Sequence, residues 1–472
     1  MLKKEKITSL PISKFIDTRY RDYAIYVLEA RGIPSFFDAL TPVQRFILKN
    51  TAPTYNKTLS VVGKCFQDHY NHGDAGLAGA ISKLARPFGN ALQILNGYGF
   101  FGSEVSPQPA AARYTSVKLS SKANVILNQY KHLTTREEEG SYDPFWMDIP
   151  LGLTTSIVGI AVGYKTTILP RNLNHIKDFF EGRRKSVKPF FEGYNGNIEK
   201  YKGVDNAWKL SSIISVDEKT HRIQIKEIPP ILKYNTVLKK IDNIISNFEG
   251  NVRIVNNSNT KVDIGIIYTG KSEPDWVALQ IYVEKTLSII VTENPVFIKD
   301  KQVLIYDNID QYLEDYKWQR LRLQYNHIEW EKEKLKFELE FNNVKELFIE
   351  FILLKKRTNI EIDNFLKSYS KQIKEKLEAL TARKFTKDEL SLTKTLIKEL
   401  TNNLNSKLKE WNIVKKEFEN TKDPTLERGI GSKNTTAVNL FDTDDIEEID
   451  GILVWDGADP FDETENIIDN EK

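Results

Sequence analysis

Short segments with regularly spaced apolar residues, separated by glycine and proline, fill the first third of the chain. Their apolar residues recur every three or four positions, which predicts helices. Thr41 before Pro42 is a typical helix start, with threonine as the N-cap and proline at the first helical position. The predicted helices are residues 24–30, one beginning at Pro42, residues 59–66 and residues 75–84. The last two flank the break at Asn71-His72-Gly73 and have a helix-turn-helix outline, although an ordinary αα-corner has the same outline and is commoner.

A different pattern follows in residues 151–314. Residues 157–163 form a short apolar run with glycines, which is more typical of strand and turn than of helix. Residues 222–226 alternate with period two and stop before Pro229, and residues 262–266 alternate in the same way. This region is therefore predicted to be a mixed α/β domain.

Residues 315–422 are charged and carry heptad-like apolar spacing. Two seams are predicted, with Lys332 and Lys407 interrupting them, and a compact stretch at residues 348–390 lies between. The pattern favours an antiparallel coiled coil with a small helical knob over a single solvated helix. The rising seam contains Leu321, Tyr325, Ile328, Leu335 and Leu339, and the returning seam contains Ile397, Leu400, Leu404, Trp411, Val414 and Phe418.

The charge of the chain is unevenly distributed. Its 472 residues, enough for several domains, have a formal net charge of only +2. Residues 441–472 contain 13 acidic residues and one lysine, so the remainder carries +14. A basic body is compatible with a polyanionic partner. The acidic tail, residues 423–472, is predicted to be disordered, and its interspersed apolar residues form either a docking motif or a feature of solubility alone.

Several classes of protein are disfavoured by composition. Cys65 is the only cysteine, so the chain can form no disulfide within itself and no thiolate metal site, which suits a reducing compartment. The six histidines have no HExxH spacing. Neither a signal peptide nor a run of about 18 apolar residues is found, so a cytoplasmic protein without a membrane span is expected.

The most specific chemistry lies at Ala110-Ala111-Ala112-Arg113-Tyr114-Thr115. Small residues permit close approach to another large molecule. A tyrosine hydroxyl beside an arginine can act as a nucleophile on a phosphate, because the cation favours the ionised phenol and stabilises the charge that develops on phosphorus. Taken alone, however, Tyr114 would more often be a packed aromatic residue on a strand.

Other motifs accompany this one in a fixed order. Together they resemble the breakage–reunion (A-type) subunit of type IIA DNA topoisomerases, with a layout similar to the medium subunit of large-phage topoisomerases. Residues 96–103, Asn-Gly-Tyr-Gly-Phe-Phe-Gly-Ser, resemble the family's Asp-Gly-Gln-Gly-Asn-Phe-Gly-Ser motif. The remaining matches are Tyr20–Ala24, Ala30–Pro34, Pro42–Arg45, Tyr70–Asp74, Gly159–Gly163, Lys188–Gly196 and Glu227–Pro229.

The resemblance implies roles for particular residues. Tyr114 would be the nucleophile that forms a 5′-phosphotyrosyl link, and Arg113 and Arg31 would stabilise the scissile phosphate. Ile160 would insert between base pairs and bend the duplex; a buried strand residue is the alternative for that position. The expected DNA contacts are His72, Arg45, Lys64 and Ile160, and no metal ligand is expected in this chain.

The resemblance also implies an α+β multidomain architecture. The expected domains are an N-terminal arm (1–18), a winged-helix DNA-gate domain (19–150), an α/β tower domain (151–314), an antiparallel coiled coil with a small helical C-gate (315–422) and the acidic tail (423–472). The chain carries no GxxxxGK motif and no Asp-x-Asp-x-Asp cluster. The resemblance implies that Mg²⁺ and ATP are bound by a separate ATPase and metal-binding subunit.

The expected assembly is a homodimer within a heterotetramer or larger complex on double-stranded DNA, in the cytoplasm of a host cell if the protein is viral. Two alternatives remain: a non-catalytic, architectural DNA-binding protein with the same fold, and a structural coiled-coil protein, which would explain only residues 315–420.

Overall fold

A computed structural model describes residues 12–28, 32–70, 73–133, 144–247, 252–271, 275–300, 302–355, 357–380 and 385–428. These residues divide into two compact units. Unit 1 comprises the described residues of Met1–Lys317 and Asp423–Lys472, and unit 2 comprises those of Trp318–Lys422. The N-terminal residues 1–11 and most of the acidic tail lie outside the described residues.

The first part of unit 1 is a helical cluster with a small antiparallel sheet. The strand order in this sheet is β1-β3-β2. Its elements are α1 (Ile12–Phe15), a π-helical turn (Ile16–Tyr20), α2 (Arg21–Val27), α3 (Pro42–Asn50), β1 (Asn56–Lys57), α4 (Thr58–Gln67), α5 (Asp74–Ala85), β2 (Leu95–Tyr98), β3 (Ser116–Leu119) and α6 (Ser121–Asn128).

The predicted helices of this region are confirmed at α3, α4 and α5. Thr41 precedes α3, and its backbone N–H donates to Gln44 Oε1 at 2.9 Å, which satisfies one of the free donors at the helix start. Apolar residues on the inward faces of the three helices, such as Ile47, Val61 and Leu77, are fully buried in one core. That core also receives Val117 of β3, so the helices and the small sheet form one structure.

The second part of unit 1 consists of antiparallel sheets with packed helices. A four-stranded sheet of order β10-β11-β9-β8 packs against α8 and α9, and a three-stranded sheet has the order β12-β7-β6. The elements are β4 (Ile157–Ala161), β5 (Tyr164–Ile168), α7 (Leu173–Phe180), β6 (Ile198–Lys200), β7 (Ala207–Leu210), β8 (Ile213–Asp217), β9 (Arg222–Glu227), α8 (Tyr234–Asn247), β10 (Val252–Asn256), β11 (Ile264–Tyr268), α9 (Trp276–Leu287), β12 (Ile289–Thr292), β13 (Val296–Lys299) and β14 (Gln302–Ile305). The strand predicted from the apolar run at residues 157–163 is present as β4, and the two predicted from alternation are present as β9 and β11.

Two long helices dominate the rest of the chain. They are α10 (Ile309–Leu354) and α13 (Lys387–Asn420), with α11 (Asn359–Leu366) and α12 (Lys371–Glu378) between them and α14 (Pro424–Arg428) after them. Within unit 2, Tyr325 in the earlier part of α10 stacks on Phe418 near the end of α13. Lys345, near the end of α10, donates a hydrogen bond to Glu389 in the first turn of α13. In the described part of unit 2, α10 and α13 therefore run antiparallel.

The two lysines that interrupt the predicted seams are accommodated by specific partners. The Lys332 ammonium lies 3.7 Å from the centroid of the Trp411 ring and within ion-pair distance of Glu329 and Glu333. Lys407 pairs with Glu331 of the opposite helix at 2.8 Å. Lys332 is buried, and these contacts offset the cost of removing its ammonium group from water.

Candidate nucleic-acid cleavage site

Tyr114 lies in a tight turn immediately before β3. Its backbone N–H donates to Ala111 O at 2.8 Å, which closes the turn. The side chain is 64% exposed, whereas Thr115, the next residue, is buried. The phenol therefore projects into solvent from a loop whose base is fixed. It is not a packed strand residue.

Arg113 lies beside the phenol. Its guanidinium carbon is 4.7 Å from the centroid of the Tyr114 ring, a cation–π distance. The positive charge of Arg113 therefore lies against the exposed aromatic ring of Tyr114.

The first turn of α4 is hydrogen-bonded to the loop that carries Tyr114. Thr58 donates its backbone N–H to Thr115 O at 3.0 Å, and the two threonine hydroxyls are 2.8 Å apart in a buried hydrogen bond. Leu59 N–H donates to Ala112 O at 3.4 Å. Sequence reasoning missed Thr58 and Thr115, because two threonines so far apart in the chain carry no local signal that they meet.

The glycines of residues 96–103 allow a second close approach to the loop. Gly99 has a φ of +109°, a conformation that side-chain-bearing residues rarely adopt. A Cβ atom at this position would also lie 3.3 Å from Thr115 Cγ2 and 3.4 Å from Tyr114 O. Ala110 N–H donates to Phe100 O at 3.0 Å, so the motif and the tyrosine loop are bonded to each other.

One further predicted site residue of this region is described, on α4. Lys64 is exposed on α4, the same helix that holds the tyrosine loop through Thr58. Gly73 is the N-cap residue of α5. His72 and Arg31 lie outside the described residues.

Ile160 lies on the β4–β5 hairpin. Its side chain is 54% exposed, and that of Val158 on the same strand face is 64% exposed, so neither is a buried strand residue. Gly159 between them packs against the backbone, because a Cβ atom there would collide with Gly32 O. The hairpin is thus fixed against the segment that follows Arg31, with Ile160 pointing to solvent.

Arg45 does not have the environment expected of a DNA contact. It is 4% exposed, and its guanidinium binds both carboxylate oxygens of Asp38, at 2.7 and 3.2 Å, and Leu40 O at 2.8 Å. Breaking such a buried pair would leave a charge without compensation, which is costly. In this geometry Arg45 stabilises the loop before α3 through Asp38 and Leu40 O, and its contact with DNA stays a prediction.

Cys65, a thiol-bearing residue on α4, is unsuited to the role of a nucleophile. It is fully buried, and burial, aided by the nearby Asp68 carboxylate, raises the pKa of its thiol to about 12. Because the thiolate is the reactive form, Cys65 is inert near neutral pH.

Two further observations concern the described residues only. The described residues include no group of three or more His, Cys, Asp or Glu side chains placed to hold a metal ion. None of their helices combines the length and the apolar character needed to cross a bilayer.

Comparison with known proteins identifies the family. The model of the DNA gyrase/topoisomerase IV A-subunit family matches residues 31–427. This chain belongs to that family. It is therefore related to the A-type breakage–reunion subunits of type IIA topoisomerases, as the sequence motifs indicated.

The family members that it resembles differ in how much of their length is matched. The chain is 34% identical over 188 residues to the DNA gyrase A protein of Spiroplasma citri, covering 37% of this chain and 82% of that protein. It is 28% identical over 276 residues to the DNA gyrase A protein of Buchnera aphidicola, covering 51% of this chain and 33% of the relative. It is 26% identical over 251 residues to the DNA topoisomerase medium subunit of Enterobacteria phage T4, covering 50% of this chain and 56% of the relative.

The fold is also that of a type II topoisomerase. The DNA-binding, cleavage and re-ligation domain of Plasmodium falciparum topoisomerase II superimposes with a TM-score of 0.69 at 20% sequence identity, covering 85% of this chain and 62% of that one. The predicted α+β fold with long helices is thereby confirmed for this gyrase/topoisomerase IV A-type chain.

Proposed function

We propose that this chain is the DNA-cleaving and rejoining subunit of an ATP-dependent type IIA DNA topoisomerase. The observation that carries the proposal is the exposed Tyr114 side chain, whose ring lies against the Arg113 guanidinium, on a loop that is hydrogen-bonded to the start of α4. A phenol that serves only packing would be buried, and a purely architectural DNA-binding protein would not need this pair.

The chemistry assigned to this chain is a reversible transfer of a phosphodiester. Tyr114 Oη attacks phosphorus, the bond from phosphorus to the 3′ oxygen breaks, and a 5′-phosphotyrosyl link forms while the released 3′ oxygen takes up a proton. Attack by that hydroxyl on the phosphotyrosine restores the strand. Arg113 stabilises negative charge on the phosphate, as Arg31 does in this account.

The DNA would lie across unit 1. We assign the helix pair α4 and α5 with the β1-β3-β2 sheet to a winged-helix DNA-gate domain, and residues 151–314 to a tower domain. Lys64 would contact the phosphate backbone. Ile160, exposed on a hairpin that is fixed at Gly159, has the character of an apolar wedge that kinks a duplex.

Mg²⁺ and ATP are assigned to a partner subunit. The described residues of this chain offer no cluster that suits a divalent cation, and the sequence carries no GxxxxGK motif. When bound nearby, the metal would supply positive charge at the scissile phosphate. In this proposal, this chain binds the DNA, positions Tyr114 and supplies the nucleophile that attacks phosphorus.

A second copy of the chain would bind at the tip of unit 2. Large apolar side chains are exposed there, where α10 ends and α11 and α13 begin, and exposed apolar patches of this kind mark interaction sites. They are Leu347, Leu353, Leu354, Ile360, Leu392 and Leu396. A twofold dimer through this tip would present two Tyr114 residues to opposite strands.

The proposal is tested by reconstitution. The chain is purified together with its candidate ATPase subunit, then incubated with supercoiled plasmid, Mg²⁺ and ATP. We expect the linking number to change in steps of two, only when both proteins and ATP are present. Steps of one, or activity of the isolated ATPase subunit, would contradict it.

A further inference from the structure

One face of the small sheet next to Tyr114 is aromatic and basic. Side chains alternate between the faces of a strand, so residues paired across strands share a face. Lys57 of β1 and Tyr98 of β2 both pair with Ser116 of β3, two residues after Tyr114. Lys118 lies two positions further along β3 on the same face, while Val117 and Leu119 on the opposite face are buried in the core.

Two exposed rings meet on this face. Tyr98 is 71% exposed and Tyr55, immediately before β1, is 50% exposed. Their ring centroids are 6.2 Å apart with an interplanar angle of 63°, an edge contact that covers little of either ring face. The Lys118 ammonium lies 4.6 Å from the centroid of the Tyr55 ring. The rings are therefore ordered by contacts and still accessible.

The position of Tyr98 within its motif makes this exposure notable. The family motif that residues 96–103 resemble has glutamine where this chain has Tyr98 and asparagine where it has Phe100, which is 45% exposed. Packing does not explain the change from amide to aromatic ring, because neither ring is buried. Single exposed aromatic residues are ordinary on protein surfaces. A set of them beside two lysines and the proposed nucleophile indicates a ligand.

We propose that Tyr55 and Tyr98 form a stacking site for an unpaired nucleobase adjacent to Tyr114, with Lys57 and Lys118 binding the flanking phosphates. This stacking site rests on the proposed function, because it specifies that the DNA bound beside Tyr114 has an unpaired base. Aromatic rings interleaved with cations are the usual recognition surface for unstacked bases, because every base has a π-face and every linkage a charge. Intact duplex keeps its bases stacked and would contact only the lysines.

The test measures the binding of two DNA probes to the whole 472-residue chain. One is an intact duplex, and the other has the same sequence with a short single-stranded gap; binding is measured by fluorescence anisotropy. We expect wild-type protein to bind the gapped duplex more tightly. Tyr98→Ala and Tyr55→Ala should each weaken binding to the gapped duplex about tenfold and binding to the intact duplex less than about twofold. Tyr98→Phe should behave as wild type, because it keeps the ring.

Tyr201→Ala, which removes an exposed tyrosine elsewhere in unit 1, is the matched control and should change neither affinity. Equal weakening on both probes, or no change on the gapped duplex, would overturn the stacking site. Covalent cleavage by the wild-type complex is measured in parallel. If wild type cleaves DNA but Tyr98→Ala shows no selective loss, only the stacking site fails; if wild type does not cleave, the proposed function fails independently of the binding result.

Discussion

The hydroxyl groups of Thr58 and Thr115 lie 2.8 Å apart in a buried hydrogen bond that joins the first residue of α4 to the residue after Tyr114. Through this bond the helix that carries Lys64 and the loop that carries the proposed nucleophile form one rigid element. The position of the phenol therefore depends on residues that do not themselves touch DNA in this account.

Thr58→Ala should loosen the tyrosine loop. It leaves the Thr115 hydroxyl buried without this partner, which costs about 1–3 kcal/mol of stability. Because nucleophilic attack is sensitive to displacements of about an ångström, we expect a fall in single-turnover cleavage of about tenfold or more with little change in DNA affinity. Thr58→Ser keeps the oxygen and should restore cleavage. A Thr58→Ala protein that cleaves at the wild-type rate would show that the bond does not position Tyr114.

The sequence predicted local elements well and contacts between distant residues poorly. The α4–α5 pair and the two coiled-coil helices follow from spacing and helix-end signals that act over a few residues. The buried pair of Arg45 with Asp38 could not be predicted in this way, because an arginine within a motif looks the same whether it faces solvent or a carboxylate. The Thr58–Thr115 bond was missed for the same reason. Lys332 and Lys407 could be recognised as seam interruptions, but Trp411 and Glu331 as their partners could not.

Ile160→Ala should reduce bending of DNA without unfolding the hairpin. The side chain is 54% exposed, so its removal leaves no cavity, whereas the proposed wedge loses the atoms that would separate two base pairs. Fluorescence energy transfer between the ends of a labelled duplex should show a smaller bend, with binding weakened by a few kcal/mol or less. Val125→Ala, a similarly exposed apolar truncation on α6, is the control. Unchanged bending would remove Ile160 from the account.

The tip of unit 2 should control the oligomeric state. Leu354 and Ile360 are 79% and 73% exposed. Placing a charge at either position would bury an unpaired ion in the proposed dimer contact. Leu354→Asp and Ile360→Asp should each increase the dissociation constant of the dimer at least about a hundredfold, as measured by sedimentation equilibrium. Leu426→Asp, at an exposed leucine of unit 1, should remain a dimer, and equal dissociation of all three variants would contradict the assignment.

The Lys299–Asp423 pair should make the free energy of unfolding depend on pH in the acidic range. The ammonium and carboxylate are 2.5 Å apart and nearly buried. Burial alone would raise the pKa of Asp423, but hydrogen bonds from Lys299 and Thr425 more than offset it, so the pKa lies below its ordinary value. A lowered folded-state pKa means that the stabilisation is present above the ordinary aspartate pKa and is lost as the pH falls through the folded-state value.

Asp423→Asn should therefore lower the free energy of unfolding by about 3 kcal/mol at pH 7. The wild-type and variant values should converge in acid, where both side chains are neutral, and urea unfolding at a series of pH values measures this. Asp178→Asn, which removes a more exposed pair with Arg183, should cost much less stability than Asp423→Asn. A difference between wild type and Asp423→Asn that stays constant with pH would contradict the linkage.

The most direct test of the central claim is a DNA cleavage assay stopped with denaturant, comparing wild type with Tyr114→Phe in the presence of Mg²⁺ and the partner subunit. Removal of one exposed hydroxyl should leave folding and DNA affinity nearly unchanged. Wild-type protein should be recovered covalently attached to 5′ DNA ends through Tyr114, as shown by mass spectrometry of the linked peptide, and the variant should yield no attached DNA. Protein-linked DNA from Tyr114→Phe, or a link at any other residue of the wild type, would contradict the account.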